Sequence, residues 1–185
     1  PANKPAGRQL EATDAAQPGI NLGGASLEGS ILTRVDLTGA DLGFADAHHV
    51  RWTDVSLRKT RLNSATLYSS MLTRCDFSDA AMALAKPGDS RIEDCSFARA
   101  QLDRTGWYRS DVARCNFAGA TFGQAAFDNA VFVDCDFRGA SLAMVHKTVM
   151  GTAQRAWFYR CDFRDVDWTD RGFYQCVFEI GRAHV

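Results

Sequence analysis

Four blocks set twenty residues apart decide the fold: Arg74-Cys75-Asp76-Phe77, Asp94-Cys95-Ser96-Phe97, Arg114-Cys115-Asn116-Phe117 and Asp134-Cys135-Asp136-Phe137. Working outward, each Phe belongs to a finer lattice of period five. It runs from Leu22 through Leu27, Leu32, Leu37 and Leu42 to Leu142 and Lys147, and resumes one residue out of phase at Phe158, Phe163, Trp168, Phe173 and Phe178. Of the 31 lattice positions 28 are large and apolar, the exceptions being Ala47, Pro87 and Lys147, and 11 of the 12 Phe residues lie on it. Two residues ahead of each centre sits a second set, Ile20, Ala25, Ser30, Val35, Ala40 and onward to Cys176, small or β-branched throughout except for Arg171. A period of five is neither the 3.6 of a helix nor the 2 of a strand, so the chain must turn regularly.

Blocks such as Ala40-Asp41-Leu42-Gly43, Cys75-Asp76-Phe77-Ser78 and Cys135-Asp136-Phe137-Arg138-Gly139 resemble the pentapeptide-repeat family over about residues 20 to 180. The resemblance implies an all-β fold, a right-handed quadrilateral parallel β-helix of about eight coils with four pentapeptides to each coil. The large centre and the small residue two before it would both face inward. Coils stacked about 4.8 Å apart would satisfy one another's backbone groups, and each would touch only its neighbours.

With four fives to a coil, residues twenty apart stack. Cys75, Cys95, Cys115 and Cys135 then form one column beside Phe77, Phe97, Phe117 and Phe137. Cys161 and Phe163 continue it 26 residues on, which places a six-residue insertion within about His146 to Arg155. The residue ahead of the column alternates in sign, Arg34, Asp54, Arg74, Asp94, Arg114, Asp134, Arg160, and reads as a surface ion-pair ladder fixing coil register. Stacked cysteines fall within disulfide range or could hold a metal. With no Cys-x-x-Cys and no His in register, a reduced thiol serving as a small core hydrophobe is the simpler reading, and it suits a cytoplasmic compartment.

The repeat fails at three places, all beginning on one face. Residues 83–89 put Pro87 at a centre, where its missing N–H is expected to bulge or kink one coil. The insertion, with Met144, His146, Lys147, Met150 and Arg155 in or beside it, is expected to project as a loop. Ala47 leaves space beside Trp52 and is followed by His48 and His49. That face presents His48, Tyr68, Tyr108 and Tyr174 outward, with Phe44, Leu84 and Met144 at the adjoining corner. These residues are the candidate partner surface, although an aromatic column also serves cross-strand stabilisation and each break is also explained as tolerated irregularity. Residues 1–19 read as a linker or N-terminal cap, 20–180 as the solenoid and 181–185 as a tail.

The chain has 185 residues, a formal charge of -1 and mixed signs throughout, which argues against direct nucleic-acid or anionic-membrane binding. No apolar run approaches a membrane span and no phosphate loop, zinc motif or nucleophile elbow occurs. The expectation is therefore a non-enzymatic protein-binding or scaffold module, without cofactor or metal. It would be cytoplasmic and bacterial, and its partner a protein or a neighbouring domain. The alternative is the best-known role of the resembled family, a DNA mimic that binds DNA gyrase or topoisomerase IV and protects against quinolones or toxins. Alternating Arg and Asp where mimicry wants an acidic stripe weighs against it. An enzyme or ligand carrier using a cavity near Ala47 or Pro87 is a third alternative, although a solenoid core this narrow is filled by side chains, so that a pocket would have to lie outside it.

Overall fold

The five-residue period is made by a corner. In the computed structural model, which describes residues 10–143, 153–169 and 173–179 (backbone alone at 153–154 and 173–174), every fifth residue from Asp14 to Gly139 has a positive φ. The series resumes one residue out of phase at Arg155, Arg160, Asp165 and Gln175. Each side has five residues, and the fifth, left-handed one, as Asp79 is in Cys75 to Asp79, closes a β-turn such as Phe77 to Ala80, where the Ala80 N–H donates to the Phe77 carbonyl at 3.1 Å. Only six of these corners are Gly (19, 24, 29, 39, 119 and 139), so Asp, Arg, Ser and even Phe44 and Leu84 take a conformation most side chains avoid.

Four such sides make a coil and the coils stack as a four-sided parallel β-solenoid. Face 1 carries the regular strands: β1 (Glu11–Thr13), β2 (Ile31–Thr33), β3 (Arg51–Thr53), β4 (Met71–Thr73), β5 (Arg91–Glu93), β6 (Asp111–Ala113), β7 (Val131–Val133), β9 (Trp157–Tyr159) and β11 (Val177–Glu179). They form one nine-stranded parallel sheet in that order, while β8 (Ala153–Gln154) pairs with β10 (Phe173–Tyr174). The other faces are built from single parallel bridges at the same spacing: Asp36 to Ser56 to Asp76 on face 2, Asp41 to Arg61 to Ala81 on face 3, and Ser26 to Asp46 to Thr66 on face 4. Register advances by 20 residues per coil until β7, where Val131 pairs with Trp157 and the step becomes 26.

The solenoid begins earlier than the apolar lattice indicates. Residues 10–19, read from sequence as a linker or cap, contain β1 and the Ala16 to Asp36 bridge, with Ala12 and Ala15 against the core. The lattice misses this stretch because Ala12 and Gln17 stand at its centres, so the strand signal is carried by backbone pairing alone. Among the insertion residues, 144–152 lie outside the described residues, as do 181–185 of the tail.

The core is a bundle of columns. Phe77, Phe97, Phe117, Phe137 and Phe163 stack nearly parallel on face 2, with successive ring centroids 4.8, 5.0, 4.9 and 5.0 Å apart. Phe132, Phe158 and Phe178 do the same on face 1 at 5.1 and 4.9 Å. Rings from adjoining faces meet edge to face, as Phe127 does with Phe132 at 5.6 Å and 86°, and Trp107 reaches across the core to Phe117 in the same way at 5.7 Å and 84°. Both fully buried Trp side chains find an acceptor: Trp52 Nε1 donates to Ser30 Oγ at 3.0 Å and Trp107 Nε1 to Thr105 Oγ1 at 2.8 Å.

The small inward position has a second function besides filling the corner. Cys75, Cys95, Cys115 and Cys135 are buried thiols, and each Sγ points at the carbonyl of the centre residue 23 positions earlier, Trp52, Leu72, Ile92 and Val112, at 3.4 to 3.7 Å. Cys161 reaches Phe132 across 29 positions, the six-residue offset again. Ser90 and Ser110 make the same bond from the neighbouring face, to Leu67 at 2.9 Å and Pro87 at 2.8 Å. Cys and Ser thus share one role, a compact side chain with a weak or strong donor to offer. Burial pushes the Cys115 thiol well above its ordinary value, and the neighbouring sulfurs add to this.

Candidate functional site

Face 4 is where the repeat is least regular and where exposed apolar side chains gather. Its outward positions run, coil by coil, from Asp46 and His48 to Thr66 and Tyr68, Lys86 and Gly88, Gly106 and Tyr108, and Ala126 and Asp128. The corner toward face 3 carries Phe44, 76% exposed, and Leu84, 46% exposed, with Ser64 between them. Both apolar residues sit at φ near +60°, in a column where Gly24 occupies the same conformation freely.

Pro87 is buried at the centre of one coil without displacing it. Ser69 N–H donates to the Gly88 carbonyl at 3.0 Å on one side and Asp89 N–H to the Tyr108 carbonyl at 2.7 Å on the other. The expected bulge or kink is therefore reduced to one lost ladder bond: Leu67 donates to Lys86 and Trp107 to Ala126, whereas Pro87 has no N–H for Gly106. The bridges of this face accordingly run Ser26, Asp46, Thr66, Lys86 and restart from Gly106 to Ala126.

The two tyrosines flanking Pro87 lie down on glycine. A Cβ on Gly88 would meet Tyr68 Cε1 at 2.8 Å, and one on Gly106 would meet Tyr108 Cε2 at 2.7 Å. Both glycines are buried beneath these rings, whose outer sides face solvent; Tyr108 is 39% exposed. Partial burial raises the Tyr108 phenol above its ordinary pKa, and the Asp128 carboxylate and Tyr68 add to it. Alongside, Arg109 grips Asp89 with two bonds of 2.6 Å.

At the Ala47 coil, His48 lies between two carboxylates. Its Nδ1 faces Asp46 and its Nε2 faces Glu28 at 3.6 Å, while Thr66 Oγ1 donates to Asp46 at 3.0 Å. Glu28, Asp46 and His48 bring three potential ligand atoms within 4.8 Å, a grouping that sequence spacing alone does not bring out because Glu28 belongs to the preceding coil. The two imidazole nitrogens are directed to different carboxylates, the geometry of a ring bridging two acids rather than of a chelate. Ala47 and Trp52 are both fully buried.

Of the remaining candidate residues, Arg155 is exposed and donates to Gln175 at 3.2 Å. Met144, His146, Lys147 and Met150 lie outside the described residues, and of Tyr174 only the backbone is described, paired with Gln154. The charge ladder resolves into separate pairs, each Arg reaching back one coil: Arg34 to Asp14, Arg74 to Asp54 (2.7 and 2.9 Å), Arg114 to Asp94 (2.7 and 3.0 Å) and Arg160 to Asp134 (2.6 and 2.6 Å). These guanidinium bonds hold the Asp54, Asp94 and Asp134 carboxyls below the usual range. Asp79 with Arg99 and Asp89 with Arg109 repeat the device at other corners. Sequence reading found one such column; the signal for the rest was the recurrence of Gly at 19, 24, 29, 39, 119 and 139, which marks the corner phase.

A second apolar surface emerges on the outside of face 1. Met71 is half exposed, and Trp157 and Val177 are exposed at the last coils, with the Trp157 and Tyr159 rings 5.9 Å apart. These residues are one position ahead of or behind a centre, where an inward-facing lattice gives no reason to look.

The model for pentapeptide repeats matches in eight copies across residues 19–51, 41–79 and 109–145, more than half of the chain. Comparison with curated protein sequences gives no significant match. Among solved structures, the chain is similar to full-length QnrB1, described as a plasmid-mediated fluoroquinolone resistance protein, with 12% identity and a TM-score of 0.51 over 90% of this chain and 83% of that one. It is also similar to HetL of the cyanobacterium Nostoc sp. strain PCC 7120, a pentapeptide repeat protein involved in heterocyst differentiation regulation, at 16% identity and a TM-score of 0.24, over 92% and 84% of the two chains. Likeness at this level of identity concerns the fold. The stacked corners, the 20-residue register and the repeat match together place the chain in the pentapeptide-repeat family.

Proposed function

We propose that this chain is a non-enzymatic protein-binding or scaffold module that docks its partner on face 4 and the Phe44–Leu84 edge. One observation carries the reading. Phe44 occupies a left-handed corner, which disfavours it by about 1–2 kcal/mol relative to Gly, and leaves 76% of its surface in water. It contributes little to the core and the corner would close more easily without it. Exposed apolar side chains beside half-buried Tyr rings have the composition of a partner surface. The rigid, ladder-bonded backbone beneath, interrupted only at Pro87 among the described residues of this face, supplies pre-organisation. Buried thiols suit a reducing compartment, and we place the module in the cytoplasm of a bacterium.

The gyrase-binding reading finds less support in the charge distribution. The corner Asp residues that would present an acidic stripe are neutralised by Arg on the adjoining coil. Two experiments separate the readings. With a photo-crosslinking residue at position 64, the protein should yield one discrete adduct in host extract, lost in a Phe44→Ser, Leu84→Ser double variant. In a supercoiling assay with purified gyrase, with and without quinolone, micromolar protein should neither inhibit nor protect. Protection there, with crosslinking unaffected by the double variant, would replace the first reading by the second.

A further inference from the structure

Resting on that reading of face 4, we propose that the partner supplies an acidic segment, a short run of Asp or Glu beside an apolar residue, that pairs with Arg104 and Lys86 and seats its apolar side chain against Leu84. The observation is a gap in the corner pairing. Eight arginines stand at left-handed corners. Six of them reach back to an Asp at the same corner of the preceding coil: Arg34 to Asp14, Arg74 to Asp54, Arg99 to Asp79, Arg109 to Asp89, Arg114 to Asp94 and Arg160 to Asp134. One coil back from Arg104 the corner residue is Leu84, so an exposed apolar side chain stands where the carboxylate would be. Arg104 turns forward instead, its Nε donating to the neutral Gln124 side chain at 3.1 Å, and its terminal nitrogens meet no acceptor among the described residues. Lys86, two positions after Leu84, is exposed and likewise pairs with no carboxylate among them. The eighth, Arg155, follows Asn129 in a corner column where no large apolar residue is exposed among those described, so there the gap adjoins no apolar surface.

The two uncompensated cations border the aromatic surface. Gly88 follows Lys86 by two positions and lies under the Tyr68 ring; Gly106 follows Arg104 by two positions and lies under the Tyr108 ring. On each of two adjoining coils a cation therefore stands beside a ring, with Leu84 at their common edge. A carboxylate brought here gains an attraction that no internal group supplies, and complementary charge speeds encounter and rejects basic partners. Nearby acids limit what fits. Asp103, next to Arg104, accepts from the Gly123 N–H and the Thr121 hydroxyl, and Asp128 stands one coil beyond Tyr108. These carboxylates repel an extended polyanion such as a nucleic acid, whose affinity comes from many phosphate contacts, whereas a short acidic motif needs only the two cations.

The test titrates the 15N-labelled protein with the capped octapeptide Gly-Glu-Glu-Phe-Glu-Leu-Glu-Gly, with the same peptide carrying Gln at every Glu, and with heparin. The acidic peptide should shift the amides around Leu84, Lys86 and Arg104 and bind at least about tenfold more tightly than its Gln counterpart. Salt at about 1 M, where the Debye length is about 3 Å, should remove most of that difference. Arg104→Gln and Lys86→Gln should each weaken binding about threefold, the effect of losing one exposed ion pair. Leu84→Asp restores the corner pair, as Asp89 makes with Arg109, and removes the apolar contact; the melting temperature should hold or rise while peptide affinity falls at least about tenfold. No binding of the acidic peptide at millimolar concentration, equal affinity for the Gln peptide, tighter binding of heparin at the same amides, or affinity undiminished by Leu84→Asp or by both Gln variants would each overturn the proposal. If it falls while the position-64 adduct still depends on Phe44 and Leu84, the protein-binding reading stands without it; if the adduct is also absent, both fall.

Discussion

Replacing Phe117 by Ala tests the stacked core where it is most concentrated. The ring is fully buried, sandwiched between Phe97 at 5.0 Å and Phe137 at 4.9 Å, with Trp107, Phe122 and Phe132 around it at 5.7, 5.5 and 6.0 Å. Truncation removes the ring from five aromatic neighbours in a core whose rigid coils cannot collapse inward, so the loss lies at the upper part of the usual Phe→Ala range, about 4–5 kcal/mol. Two controls calibrate it. Phe117→Leu restores the residue type found lower in the same column at Leu37 and Leu57 and should cost about 1–1.5 kcal/mol. Phe178→Ala, where the ring is 39% exposed on the last described coil, should cost about 1–2 kcal/mol. Urea denaturation followed by circular dichroism gives all three, with the slope watched because a central lesion in a one-dimensional stack can uncouple its halves. A cost at Phe117 below about 1 kcal/mol, or equal to that at Phe178, would refute the sandwiching of this ring between coils.

Phe44→Gly relieves a left-handed corner and removes an exposed ring; the melting temperature should stay level or rise, whereas a clear fall would show that Phe44 serves the fold and not a partner. Cys115→Ser should be tolerated, because Ser110 makes the corresponding bond on the neighbouring face; a loss above about 2 kcal/mol in urea melts would contradict the shared role of the two side chains. At pH 8, a thiol reagent such as DTNB should leave the buried column of Cys75, Cys95, Cys115 and Cys135 unmodified in the native protein and titrate it after denaturation; rapid native reaction at these positions would argue against their burial. The paired carboxyls Asp54, Asp94 and Asp134 have native pKa values below their unfolded ones, so their stabilisation is complete above about pH 4 and is lost as pH falls through the lower native values. Melting temperature should therefore drop on acidification below about pH 4, more shallowly when Arg74 and Arg114 are both replaced by Gln; identical pH profiles would mean that the pairs are not formed in solution.

What could be read from the sequence was whatever the inward lattice controls. Large centres every five residues imply corners, and cysteines every twenty imply coils, because only a four-sided turn brings Cys75 and Cys95 together. The 26-residue step from Cys135 to Cys161 was equally visible. Features outside the lattice were not. Residues 10–19 form a coil on backbone pairing with Ala12 and Gln17 at the centres, so composition conceals it. The corner pairs of Asp79 with Arg99 and Asp89 with Arg109 follow from a left-handed position that apolar periodicity never samples. Tyr68 and Tyr108 were legible as an outward column, but that each lies flat on a glycine depends on side-chain direction, which spacing does not specify. Pro87 was expected to distort its coil; bonds on both sides of it hold the coil in place, and only the Gly106 carbonyl loses its usual donor.

Ring-to-ring nuclear Overhauser effects test the stacking account most directly. With selectively labelled Phe, cross-peaks should connect Phe77 with Phe97, Phe97 with Phe117 and Phe117 with Phe137, and then jump the longer interval from Phe132 to Phe158 and Phe137 to Phe163. Absence of the twenty-residue connectivities, or contact of Phe132 with residue 152 in place of Phe158, would contradict the register on which every surface assignment rests.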